Sequence, residues 1–302
     1  MTDIAPSLAA TVYLAHNRKH DRQVAAVLLL AAALTGCARS LSEAQMFQPR
    51  PGPALTAELV AITAPAYAFE PITLTTADGT RLAGGLLRRA GADRTVIYYG
   101  GNIATAARTG LRTAARLAPL DVNVVLVDYR GYGGSGTGPV SAETLLDDGL
   151  LVFDHVAGLP GLDPSRVLVH GHSMGSLVAG HVAATRASAG VVLESSATTT
   201  EDFVRTQIPW YGRPFVRMDI APGLRRQGNL QQMGRIEEPL LLLVGSRDSD
   251  TPPRFSRSLY DASSLPPSRK QLMVIEGATH SDVLERPVAI AAYRAFLQLT
   301  RG

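Results

Sequence analysis

The sequence predicts an α/β fold with a mostly parallel central sheet and helices on both faces. Three observations predict it. Short, continuous, β-branched-rich apolar runs recur along the chain, at Val96–Tyr99, Val122–Val127, Val167–Val169, Val191–Leu193, Leu240–Val244 and Leu272–Ile275. They lack the alternation of a half-exposed strand and read as strands buried on both faces. Stretches of helical length separate them, at about 104–118, 141–157, 175–187, 253–264 and 287–300. Repeated strand–helix units of this kind build a parallel sheet. Ahead of them, Ile72–Thr75 and Arg81–Gly84 flank Asp78-Gly79, a hairpin turn signal that opens the sheet antiparallel.

Length and composition agree with one large domain. The chain has 302 residues, 46% hydrophobic and 18% charged, with a formal net charge of +3, so neither a disordered chain nor one that coats nucleic acid is expected. The single cysteine excludes an intrachain disulfide.

Taken in order, residues 1–36 carry a basic cluster (Arg18-Lys19-His20-Asp21-Arg22), the 11 apolar residues Val24–Leu34, and then Leu34-Thr35-Gly36-Cys37. A basic start, a short apolar core and small residues before a cut describe a secretory signal, and the run falls short of the roughly 20 residues a spanning helix needs. The Leu-Thr-Gly-Cys ending resembles the bacterial lipobox. That resemblance implies lipidation of Cys37 and a lipid-anchored protein on the extracytoplasmic side of a bacterial envelope membrane. Residues 37–60, which carry Ser, Gln, Pro and Gly without a clear period, read as a tether, and 61–302 as the folded domain. About 45 residues separate Leu193 from Leu240, more than one crossover helix needs. A small cap is expected within about 196–235, around Trp210, Tyr211, Phe215 and Met218.

The chemistry concentrates at Gly171-His172-Ser173-Met174-Gly175, set between a short strand and a helix-compatible run. A G-x-S-x-G turn in that context holds its serine on a strained bend, where only glycine lets strand and helix approach. A serine hydroxyl needs a base, and the base needs an orienting carboxylate. Among the histidines, His16 and His20 lie in the signal, and His155 and His170 precede the turn. His172 lies inside it and His181 along the following helix, which leaves His280, after the last strand, as the base. The acid belongs beyond the strand Leu240–Val244, where Asp248 and Asp250 both stand; Glu194, closing an earlier strand, is a third candidate. Backbone donors for an oxyanion are expected from Met174, at the helix start, and from the loop Gly100-Gly101-Asn102.

From about Phe69 to Leu299 these residues together resemble the α/β-hydrolase superfamily. Asp128-Tyr129-Arg130-Gly131-Tyr132-Gly133-Gly134-Ser135-Gly136 looks like the D-Y-R-G-Y-G-x-S-x-G loop of its small-cap branch, related to the membrane-associated α/β-hydrolase-domain proteins of eukaryotes. Gly101-Asn102 and Gly245…Asp248…Pro252 match that branch as well. The resemblance implies Asp248 as the acid, the N–H of Asn102 with Gly101 adjacent as an oxyanion donor, and a carboxylesterase or acyl thioesterase acting on a small-molecule or acylated substrate. Where the branch has His before Gly-Asn, this chain has Gly100, so the oxyanion loop must be supported some other way.

Four rival functions compete with this reading. Gly131…Gly136 is also a literal G-x-G-x-x-G, but Pro139 and Ser141 intervene before the helix and no strand-ending acid follows about 20 residues on, against a dinucleotide site. No H-E-x-x-H or cysteine pair points to metal catalysis, and neither metal nor cofactor is expected. A peptidase would use the same residues, although no large accessory domain is present to select peptides. A non-catalytic binding lipoprotein would not be expected to retain Ser173, Asp248 and His280 together.

Overall fold

The structure is a computed structural model, and it describes residues 37–300. Ten strands are found among them: β1 (Cys37–Leu41), β2 (Tyr67–Thr75), β3 (Arg81–Arg89), β4 (Thr95–Tyr99), β5 (Asn123–Val127), β6 (Val167–His172), β7 (Gly190–Glu194), β8 (Val216–Ile220), β9 (Leu240–Gly245) and β10 (Lys270–Ile275). The helices, in chain order, are α1 (Glu43–Met46), α2 (Ala57–Thr63), α3 (Leu111–Leu117), α4 (Ala142–Ala157), α5 (Met174–Ala183), α6 (Thr200–Thr206), α7 (Pro222–Arg225), α8 (Asn229–Gln232), α9 (Pro253–Ala262) and α10 (Pro287–Leu299).

Eight strands form one sheet in the order β10-β9-β7-β6-β4-β5-β3-β2. The β2–β3 hairpin is antiparallel and β3 also runs antiparallel to β5, while β5, β4, β6, β7, β9 and β10 are parallel. Every residue of β4, β7 and β9 is buried, as the unalternating apolar runs require of strands covered twice. Alternation along β4 assigns the two layers. Val96 and Tyr98 face a core that includes Val60 of α2, Leu111 and Leu117 of α3, and Tyr293 and Phe296 of α10. Tyr99 faces the other way, and its hydroxyl donates to the carbonyl of Gly149 in α4 (2.8 Å). There α4 lies against α5, so closely that a Cβ on Gly149 would sit 2.3 Å from Val178 Cγ1.

The described residues fall into two units, 41–207 with 220–300, and a small one of 37–40 with 208–219. In the small unit Trp210 and Tyr211 meet edge to face and are exposed, as is Phe215. The signal expected over residues 1–36 lies outside the described residues. No described helix is long and apolar enough to cross a membrane.

The expected tether is corrected by the structure. Phe47, Leu55 and Val60 are buried, and Ser42 caps α1 with its hydroxyl. Gly52 and Gly133 are joined through main-chain hydrogen bonds, Gly52 N–H to Gly133 O and Gly133 N–H to Arg50 O, each 2.9 Å. Its apolar anchors stand at irregular spacing, and Leu55 and Val60 join the main core, so no helical or strand period marks the segment as folded.

The run Asp128–Gly136 is a loop, and α4 opens only at Ala142. The Asp128 carboxylate accepts from the N–H groups of Ala106 (2.6 Å) and Gly134 (3.0 Å). Arg130, nearly fully buried, grips Asp148 through two parallel bonds (2.6 and 2.7 Å) and reaches Asp78 in the hairpin turn (2.7 Å). A buried guanidinium is tolerated where bidentate partners replace its water. Arg130 is thus a structural ion-pair partner beside the site.

Candidate active site

The parallel strands β4, β6, β9 and β10 all end on the same edge of the sheet, so the loops that follow them converge there. The chain leaves β4 for β5 on one side and pairs it with β6 on the other. Such a switch point opens a crevice at the carboxyl ends of the strands. Ser173 stands at it, between β6 and α5, with φ 54° and ψ −120°. That backbone is unfavourable for a residue with a side chain, on the order of 1–3 kcal/mol. Its main chain is pinned on both sides: Ser173 N–H donates to Glu194 O (2.9 Å), and the Ser176 hydroxyl donates to Ser173 O (2.6 Å).

His280, from the loop after β10, places Nε2 2.9 Å from Ser173 Oγ. Its Nδ1 lies 3.0 and 3.1 Å from the two oxygens of Asp248, in the turn after β9. Asp248 is buried, and its carboxylate also accepts from the N–H groups of Asp250 (3.0 Å) and Thr251 (2.8 Å) and from the Thr251 hydroxyl (2.8 Å). Burial alone would raise the Asp248 carboxyl, but the hydrogen bond and charge of His280 and the bonds from Thr251 outweigh it and hold it below the usual carboxylate range. Burial pulls the His280 imidazole down, yet Asp248, then the charges of Asp250 and Glu194, lift it above its ordinary value. A carboxylate that accepts at Nδ1 fixes the proton there and turns a bare Nε2 lone pair toward the serine hydroxyl. The array can therefore draw a proton from Ser173.

The other acid candidates sit elsewhere. Asp250 bonds to Asp248 through its own N–H, and its carbonyl accepts from the Thr206 hydroxyl (3.0 Å). Glu194 is buried and pairs with His170 Nε2 at 3.0 Å. His172 is also tied to the site: its Nε2 donates to the carbonyl of His280 (2.8 Å), while burial lowers its affinity for a proton. The contribution of Thr251 was missed in the sequence. Its one signal is its place three residues past an aspartate, where a hydroxyl can close back onto the carboxylate.

On the opposite side, Met174 opens α5 and Gly101 lies against the turn; a Cβ there would sit 3.2 Å from His172 Nδ1. The Asn102 side chain supplies the loop support that Gly100 leaves unaccounted for. Its Nδ2 donates to Met46 O (2.6 Å), and its Oδ1 accepts from Gln48 N–H (3.0 Å) and from the Tyr132 hydroxyl (2.9 Å).

Two hollows meet at Ser173. A wide cleft of about 640 Å³ includes Gly101, Asn102, Arg112, Asp250 and His280. A narrow pocket of about 80 Å³ is walled by Met46, Phe47, Leu177, Phe203 and Leu224. Phe203 and Leu224 come from the region expected as a cap. The same region is anchored by buried Asn229, whose Nδ2 donates to Ser176 O (2.9 Å) and Ser196 Oγ (2.8 Å) behind the serine turn. Among the described residues, Asp248, Asp250 and His280 bring potential metal-ligand atoms within 4.8 Å of one another. The Asp248 oxygens and His280 Nδ1 are already spent on each other and on Thr251.

A family model described as serine aminopeptidase S33 matches residues 91–226. An uncharacterized protein of Mycobacterium tuberculosis is 28% identical over 281 residues, 92% of this chain and 94% of its own length. The Arabidopsis thaliana α/β-hydrolase domain-containing protein WAV2 is 26% identical, over 64% of this chain and 66% of its own. Among solved structures, an esterase of Pyrococcus furiosus superposes with a TM-score of 0.65 at 20% identity, covering 83% of this chain and 98% of the esterase. The fold is the α/β-hydrolase fold.

His280 should titrate above the ordinary imidazole value of about 6.5. It would then be charged below that midpoint and able to accept a proton only above it. Removing the neighbouring charge in Asp248→Asn should lower the midpoint. NMR titration of labelled histidine reads both; a parent midpoint at or below the ordinary value, or no drop in the variant, contradicts the electrostatic account.

Proposed function

We propose that this chain belongs to the α/β-hydrolase superfamily and is a serine hydrolase that cleaves carboxylic esters or thioesters through an acyl-enzyme. Ser173 Oγ attacks the acyl carbonyl as His280 Nε2 takes its proton. The oxyanion that develops is met by the N–H groups of Met174 and Asn102, with Gly101 leaving room for the approach. His280 then gives the proton to the departing alcohol or thiol, and the acyl group remains on Ser173. Water attacks next, its proton taken by the same nitrogen; the carboxylic acid leaves and the serine regains its hydrogen. Asp248 stabilises the imidazolium formed in each half. The observation that carries the reading is the Ser173–His280–Asp248 array, at 2.9 and 3.0 Å, on a backbone held in the left-handed region.

The description of the matching family favours a second reading, release of amino-terminal residues from peptides by the same residues. A panel of acyl esters, acyl thioesters and aminoacyl anilides separates the two, and turnover of the anilides alone would reverse the order. On the preferred esters, Ser173→Ala should cost on the order of a millionfold in turnover. Asp248→Asn should cost about ten-thousandfold. Asp250→Asn should change it by less than about 1 kcal/mol, a fewfold in rate. If Asp250→Asn is the crippled variant, the acid is misassigned.

The location follows from the sequence: Leu34-Thr35-Gly36-Cys37 after a basic and apolar lead supports a lipid anchor on Cys37 and an envelope membrane as the site of action. Mass spectrometry of the mature protein should find acylated Cys37 as its first residue, and Cys37→Ser should release the protein from membranes. An unprocessed amino terminus without added acyl mass contradicts the anchor.

A further inference from the structure

The segment just ahead of the main sheet touches the site twice. Its main chain clasps Asn102: Met46 O takes the carboxamide N–H at 2.6 Å, and Gln48 N–H gives to the carboxamide oxygen at 3.0 Å. The Tyr132 hydroxyl closes the clasp by donating to the same oxygen (2.9 Å). Its side chains Met46 and Phe47 also form a wall of the narrow pocket at Ser173, facing Leu177, Phe203 and Leu224.

We infer that Met46–Gln48 is a working part of the active site, which sets the oxyanion loop and measures the acyl group of the substrate. The inference rests on the serine-hydrolase reading and adds to it which group enters which hollow. The wide cleft carries Arg112, Asp250 and Glu285, which favour water or a polar leaving group. The narrow pocket presents a mainly apolar surface and receives the acyl chain. At about 80 Å³, and at about 30 Å³ for each water- or methylene-sized group, it holds roughly three such groups. The preferred acyl group is therefore short, and Met46 is the residue that limits it. Met46 is only partly buried and flexible in side chain, so it can be changed without opening the core.

The test uses the full chain and straight-chain nitrophenyl esters from two to sixteen carbons. The parent should peak at about four carbons. Met46→Trp, which fills the pocket, should lower kcat/KM on the four-carbon ester at least about tenfold more than on the two-carbon ester; Met46→Ala should move the peak to longer chains. Asn102→Ala, which releases the clasp, should lower kcat about tenfold or more with KM little changed and an unaltered melting temperature, a split that loss of fold alone would not give. If the parent turns over esters in a Ser173-dependent way but both Met46 variants keep its chain-length profile, the inference is wrong and the hydrolase reading stands. If the parent shows no Ser173-dependent turnover of any ester, both fall.

Discussion

A Cβ on Gly175 would lie 2.0 Å from the carbonyl oxygen of Tyr99, and one on Gly171 would lie 2.2 Å from the carbonyl oxygen of Gly175. Strand β6, helix α5 and the end of β4 thus meet backbone to backbone, a contact that only glycine allows. Everything at the site depends on that approach. It forces Ser173 into a left-handed backbone at the tip of the bend and aims its hydroxyl out of the sheet. It also sets Gly101, which follows β4, beside the serine turn. Any side chain at either glycine would push α5 away and separate Ser173 from the loops that carry His280 and Asn102.

The strained turn is useful only because charge is placed around it with care. A buried carboxylate without partners would be strongly disfavoured, yet Asp248 accepts from two main-chain N–H groups, a hydroxyl and an imidazole. The same bonds that make its burial tolerable keep it ionised, and its charge governs the proton on His280. Loops are held by a second layer of contacts: His172 on the carbonyl of His280, Arg130 between Asp148 and Asp78, and the Met46–Gln48 clasp on Asn102.

Much of this was legible in the sequence, and the reasons differ by element. Buried parallel strands announce themselves as continuous Val- and Leu-rich runs, and β4, β5, β6, β7 and β9 appear where such runs were read; β10 also does, but as the edge strand it buries only Ile275 fully. The serine turn was legible because its glycines answer to sterics rather than to family habit. Asp248 and Asp250 could not be separated by residue type alone; the difference lies in how the turn after Gly245 folds its hydrogen bonds. The segment 41–60 was misread because burial there is carried by isolated anchors, Phe47, Leu55 and Val60, with no periodicity to reveal them. Its bonds to Asn102 span more than 50 residues of sequence and left no local signal at all.

The central claim, that Ser173 is a nucleophile made reactive by its setting, is tested most directly by covalent capture. The folded full chain would be treated with a fluorophosphonate and digested, and the adduct located by mass spectrometry. The account predicts a single stoichiometric adduct on the peptide bearing Ser173, abolished by heat denaturation before treatment and strongly slowed in His280→Ala. An unmodified Ser173 in the folded protein, or an adduct formed equally well after denaturation, would contradict it.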